Sequence, residues 1–201
     1  MGPAGSPETG SEHYSEADRA TLLDVARQAI EAAAHGLQPP VMDPAKHTEP
    51  LRALRACFVT LEIGDGLRGC IGSLKAKHPL VVEAARMARA AAIEDPRFPP
   101  VTVQELGTLC VSISVLSEAE AISYGSEQDL LQKLRPGVDG LILRDGWHSG
   151  TFLPSVWEKL PSPAEFWRQL KRKAGLPADH WSSTLVVERY TTESFSAGWW
   201  S

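Results

Sequence analysis

The sequence has few of the residues and runs from which specialised chemistry is usually read. Cysteine is scarce: Cys57, Cys70 and Cys110 are an odd number at wide spacing, which argues against a secreted disulfide framework and leaves three thiols. The six histidines, His13, His35, His47, His78, His148 and His180, form no HxxxH pair, and no CxxC occurs. Local spacing therefore names no metal site, and the expected metal is none. No apolar run approaches the roughly 20 residues that span a bilayer, and the first residues lack the basic-then-apolar layout of a signal peptide. This predicts a cytoplasmic chain with no membrane partner. A block of one charge is also missing: the net charge of −5 is spread along 201 residues, so no field draws in nucleic acid. Neither a Walker loop nor a GxSxG elbow is present. Gly64-Asp65-Gly66 lies between two strand-like runs rather than at a helix start, which excludes a dinucleotide fingerprint.

What is present supports a proper core. With 43% hydrophobic residues, the chain suffices for one generous domain or one domain with a small lobe. Residues 1–14 read as a disordered leader, being rich in Gly, Pro, Ser and Glu. From the capping Ser15, Leu22, Ala26, Ala29, Ile30 and Ala33 recur at helical spacing until Gly36. Three prolines then predict an extended connector up to Thr48. Ala56 to Ile63 alternates as a strand, turns at Gly64-Asp65-Gly66, and returns through Leu67 to Leu74. A helix opens after Pro79, and Leu109 to Leu116 alternates as a strand. A second hairpin turns at Asp145-Gly146 and returns through Thr151-Phe152-Leu153. A helix follows Ser162-Pro163-Ala164-Glu165, read as a capping box, and a last strand runs from Thr184 to Tyr190. Helices mixed irregularly with hairpins, with no repeated βαβ unit, indicate an α+β fold, a largely antiparallel sheet packed against helices.

The run Leu67-Arg68-Gly69-Cys70-Ile71-Gly72-Ser73-Leu74 is the centre of interest. Strand interiors normally avoid glycine, so two of them suggest that something approaches the main chain closely, either a ligand or the protein's own packing. Alternation puts Arg68 and Cys70 on one face. A guanidinium beside a thiol favours the reactive thiolate. Against that stands the ordinary case of a small buried cysteine and an arginine paired with a carboxylate. Asp95-Pro96-Arg97-Phe98-Pro99-Pro100 is a stiff loop whose acid, base and aromatic serve either a site or a simple bridge from helix to strand. His148 at the second hairpin tip reads as an exposed-turn residue rather than a base for Cys70 or Ser149. The basic residues Arg168, Lys171, Arg172 and Lys173 read as a solvated helix face.

These residues carry a resemblance. Ala56-Cys57-Phe58-Val59-Thr60-Leu61, the octapeptide Leu67 to Leu74, Asp95 to Val101, Ile113 to Leu116, Gly140 to Leu143, Gly150 to Pro154 with Trp157, and Lys173 to Leu176 resemble, in that order, the AMMECR domain family. The resemblance covers residues 15–195 and leaves 196–201 as a tail. It implies a larger and a smaller lobe, a cytoplasmic setting and no established activity. It also implies partnership, as an accessory, with a Memo-like protein and a radical S-adenosylmethionine protein, and it names no cofactor. The family's invariable cysteine falls on Cys70. The chain departs from the family at His148-Ser149, at Ser155 and at Ser196-Ala197.

Two readings follow. In one the chain is the accessory. In the other it is a thiol-dependent enzyme with Cys70 as nucleophile or redox centre and Arg68 as its electrostatic partner. The substrate- or partner-binding residues expected are Gly69, Gly72, Ser73, Asp95, Arg97, Phe98, Thr151 and Phe152.

Overall fold

A computed structural model describes residues 14–200, so all of the leader expected over residues 1–14 except Tyr14 lies outside the described residues. Helix α1 (Glu16–Ala34) starts where the Ser15 hydroxyl accepts from the Asp18 N–H, and Asp18 reaches back to complete the capping box. It ends at Gly36, whose φ of +70° is open to glycine at no steric cost. The connector is less extended than its prolines predict. Pro44–Lys46 forms a turn of 3-10 helix and Glu49–Arg52 forms α2, because proline in a helix's first turn gives up an N–H that would lack a partner there anyway.

Strands β1 (Cys57–Ile63) and β2 (Gly66–Gly72) form the first hairpin, and helix α3 (Leu80–Ile93) follows. Strand β3 (Leu109–Leu116) pairs with the other side of β1. Cys57, Val59 and Leu61 with Leu109, Val111, Ile113 and Val115 are buried together with residues of α1 and α3. Each such aliphatic side chain contributes about 1.5–3 kcal/mol, so this face is the main anchor of the larger lobe.

The smaller lobe holds β4 (Glu120–Ala121), α4 (Glu127–Lys133), β5 (Gly140–Asp145), β6 (His148–Phe152), α5 (Pro163–Lys173) and β7 (Val186–Tyr190). Its core stacks Trp157 on Phe166 at 3.7 Å between centroids, beside Trp167, Leu141, Leu143 and Val187. Ser162 makes no side-chain cap at α5, and Glu165 instead bonds Gln169 and Arg168. A final strand, β8 (Thr192–Gly198), returns to the larger sheet. The two antiparallel sheets have orders β2-β1-β3-β8 and β4-β7-β5-β6, so the α+β class holds with two lobes. Residues 196–198, expected in a tail, pair with β3, and Tyr14, expected in the leader, is buried with its N–H on Glu193. The lobes meet at Ala56, Leu116, Ile142 and Tyr190, with Phe58, Leu74 and Leu153 against them. Among the described residues no helix is long and apolar enough to cross a membrane.

Candidate functional site

Strand β2 is an edge strand, and an edge exposes main-chain N–H and C=O groups that need partners. At Cys70 the proline-stiffened loop after α3 supplies them. Asp95 Oδ2 accepts from the Cys70 N–H at 2.8 Å, and Arg97 Nη2 donates to the Cys70 carbonyl at 3.2 Å. Arg97 also grips both Asp95 oxygens, at 2.9 and 2.6 Å. With its side chain 2% exposed, the Asp95 carboxyl is held far below the usual carboxylate range, first by the Arg97 hydrogen bonds and then by the N–H groups of Cys70 and Arg97. The Arg97 guanidinium lies 5.5 Å from the Phe98 ring centroid.

The Cys70 side chain belongs to the face turned away from α1 and α3. It is paired directly with Thr60, whose hydroxyl donates to Sγ at 3.2 Å, and the same rung continues through Ser112 to Ser196. The sulfur is half-buried. On the next rung of that face Phe58 packs into the seam between the lobes. The smaller lobe sends Lys173, from the last turn of α5, toward this rim. Lys173 Nζ donates to the Thr151 carbonyl at 2.9 Å and lies 5.0 Å from the Phe152 ring centroid. Burial lowers the Lys173 pKa, and the Cys70 sulfur is near enough to act in the opposite sense. It likewise adds to the upward shift of Arg97, which is caused chiefly by the hydrogen bond to Asp95. A basic side chain from each lobe is therefore within electrostatic range of one thiol.

The fold thus gathers Cys70, Asp95, Arg97 and Phe98, and brings in Thr151 and Phe152 through Lys173. It does not gather the others. A register shift between Leu61 and Glu62 makes Arg68 the extra residue of a bulge, out of strict alternation with Cys70. Its guanidinium is committed to Glu105 (2.7 and 3.2 Å) and to the Pro100 carbonyl, and its hydrogen bonds, with those from Thr102, hold the Glu105 carboxyl down to about 2. Ser73 serves a local turn through Lys75.

The glycines are filled from within. A Cβ at Gly69 would stand 2.2 Å from the Ala91 carbonyl oxygen, and one at Gly72 would stand 2.2 Å from the Phe58 ring. Their bare Cα atoms admit a helix and an aromatic side chain, not a visitor. Cys57 is fully buried, and burial pushes its thiol pKa up. His148 is half-buried rather than exposed, with Nδ1 on the Ala174 carbonyl at 3.0 Å. Lys173 and Thr60 are the residues that sequence reasoning passed over. Thr60 had a signal in its alternation with Val59 and Leu61, whereas Lys173 had none beyond membership of a basic run. Among the described residues no three His, Cys, Asp or Glu side chains converge as a metal-binding group.

Known proteins share this arrangement of chain. The profile of the AMMECR1 family matches residues 23–195. The chain belongs to that family. An AMMECR1 relative from Thermofilum pendens is 36% identical over 198 residues, covering 90% of each chain. One from Methanothermobacter thermautotrophicus is 41% identical over 160 residues, covering 79% of this chain and 83% of its own. The crystal structure of an uncharacterized protein from Pyrococcus horikoshii superposes with a TM-score of 0.78 at 36% identity, covering 87% of this chain and 89% of that one.

Proposed function

We propose that this AMMECR1 protein is a thiol-dependent enzyme of the cytoplasm, acting on a small substrate that carries a negative charge and an electrophilic carbonyl carbon. One observation carries the reading: the half-buried Cys70 sulfur accepts a hydrogen bond from Thr60 and is within electrostatic range of Arg97, which also bonds the Cys70 carbonyl, and of Lys173 from the other lobe. In this reading Arg97 and Lys173 take the electrostatic role that alternation assigned to Arg68. The Sγ proton passes through solvent to the Lys173 amine, whose lowered pKa favours the neutral form that accepts it. The sulfur lone pair forms the S–C bond, the C=O π pair moves onto oxygen, and the oxyanion is held by the guanidinium and the new ammonium.

Cys110 lies on the same sheet face, half-buried, and provides an internal control. Peptide-resolved alkylation with iodoacetamide at neutral pH is expected to label Cys70 at least about tenfold faster than Cys110, and Lys173→Met is expected to narrow the gap. Equal rates for the two thiols would refute the proposal. The accessory reading, docking onto a Memo-like and a radical S-adenosylmethionine protein, draws on one feature, the 43% exposed Leu67 that opens the octapeptide. Recovery of either partner by wild type but not by Leu67→Asp would favour it.

A further inference from the structure

A cavity of about 460 Å³ lies in the smaller lobe beside the β5–β6 turn and the loop after α5, not at the thiol. We propose that it is a binding site for a small organic cation with a flat body and N–H donors, of the amidinium or guanidinium class. Trp147 forms one wall with its indole 91% exposed, tilted against the His148 ring at 5.7 Å, and Leu176 and Pro177 line the cavity too. An indole held in solvent beside a cavity is the best of the aromatic faces for a cation.

The polar lining holds one carboxylate, two imidazoles and a hydroxyl, from Asp145, His148, His180 and Thr184. A carbonyl only accepts, so the contact of His148 Nδ1 with Ala174 O places a proton on Nδ1. His180 Nε2 lies 2.6 Å from the Asp145 carboxylate, an acceptor that places a proton on that nitrogen. The other nitrogen of each ring has no hydrogen-bond partner among the described residues. Asp145 is the one carboxylate of the lining, held ionised by the Thr184, His180 and Ser182 donors with its pKa lowered to about 2. No lysine or arginine lines the cavity, and Lys171, which donates to the His180 carbonyl, is paired with Glu127 at 2.7 Å.

The test uses the whole chain and three ring probes of one shape: benzamidinium, neutral benzamide and benzoate. Benzamidinium is expected to shift the NMR signals of the Trp147 indole N–H and the His148 and His180 imidazoles in a saturable way. Benzamide should bind more weakly and benzoate not measurably. Trp147→Ala, a change at a solvent-exposed side chain, should weaken benzamidinium about tenfold, while Cys70→Ser should leave it unchanged, which separates this site from the thiol. Benzoate binding as tightly as benzamidinium, signals that stay fixed at these three residues, or full affinity in Trp147→Ala would each overturn the assignment.

Discussion

At Gly69 the missing Cβ is what lets α3 lie against β2, because the Ala91 carbonyl occupies the space a methyl group would need. Neither backbone can give way cheaply, so Gly69→Ala is expected to destabilise the chain by about 3 kcal/mol. Gly66→Ala in the same strand meets only the Ile63 oxygen at 3.4 Å and should cost within about 0.5 kcal/mol. Urea unfolding of the two variants checks this, and equal midpoints would contradict the packing role. The glycines announced a close approach from the sequence alone. What approaches depends on a helix and a ring, which no local pattern names.

Arg68 makes a second case at this scale. Its hydrogen bonds lower the Glu105 pKa from 4.5 to about 2, so their stabilisation is complete above the unfolded value and is lost as pH falls from 4.5 through 2. Arg68→Ala should therefore lower Tm most at pH 6, and the difference from wild type should narrow as pH falls through that window. A difference independent of pH would show that the pair contributes nothing beyond packing.

Among the elements, α1, β1 and β3 were legible because strong apolar residues repeat at their proper period: Leu22, Ala26, Ala29, Ile30 and Ala33 in the helix, Val111, Ile113 and Val115 in the strand. Strand β8 was not. Its core-facing side carries only Phe195 and Ala197 against small polar neighbours, too weak an alternation to stand out. The loop after α3 was legible as stiff, but its use of Asp95 and Arg97 in place of a neighbouring strand depends on β2 being an edge. Asp95→Ala removes the acceptor of the Cys70 N–H and the partner of Arg97, and should cost about 2 kcal/mol. The sharper readout is hydrogen exchange, where the Cys70 amide should lose protection before the amides of β1 do. Unchanged protection at Cys70 would place the loop's role elsewhere.

At the scale of the whole molecule, the two lobes have separate cores and meet over a small apolar seam. The proposed thiol site depends on that meeting, with Arg97 from one lobe and Lys173 from the other. Sequence reasoning put Arg68 beside Cys70, whereas the structure pairs Arg68 with Glu105, since a single-residue bulge defeats strict alternation, and no spacing rule ties α5 to β2. The central claim is that two cations draw negative charge to the Cys70 sulfur. The most direct measurement is the ratio of Cys70 alkylation rates by anionic iodoacetate and neutral iodoacetamide, resolved by peptide and divided by the same ratio for free cysteine. The account predicts a normalised ratio of about ten at low salt, falling in Lys173→Met and with added salt. A normalised ratio of about one, unchanged in Lys173→Met, would contradict it.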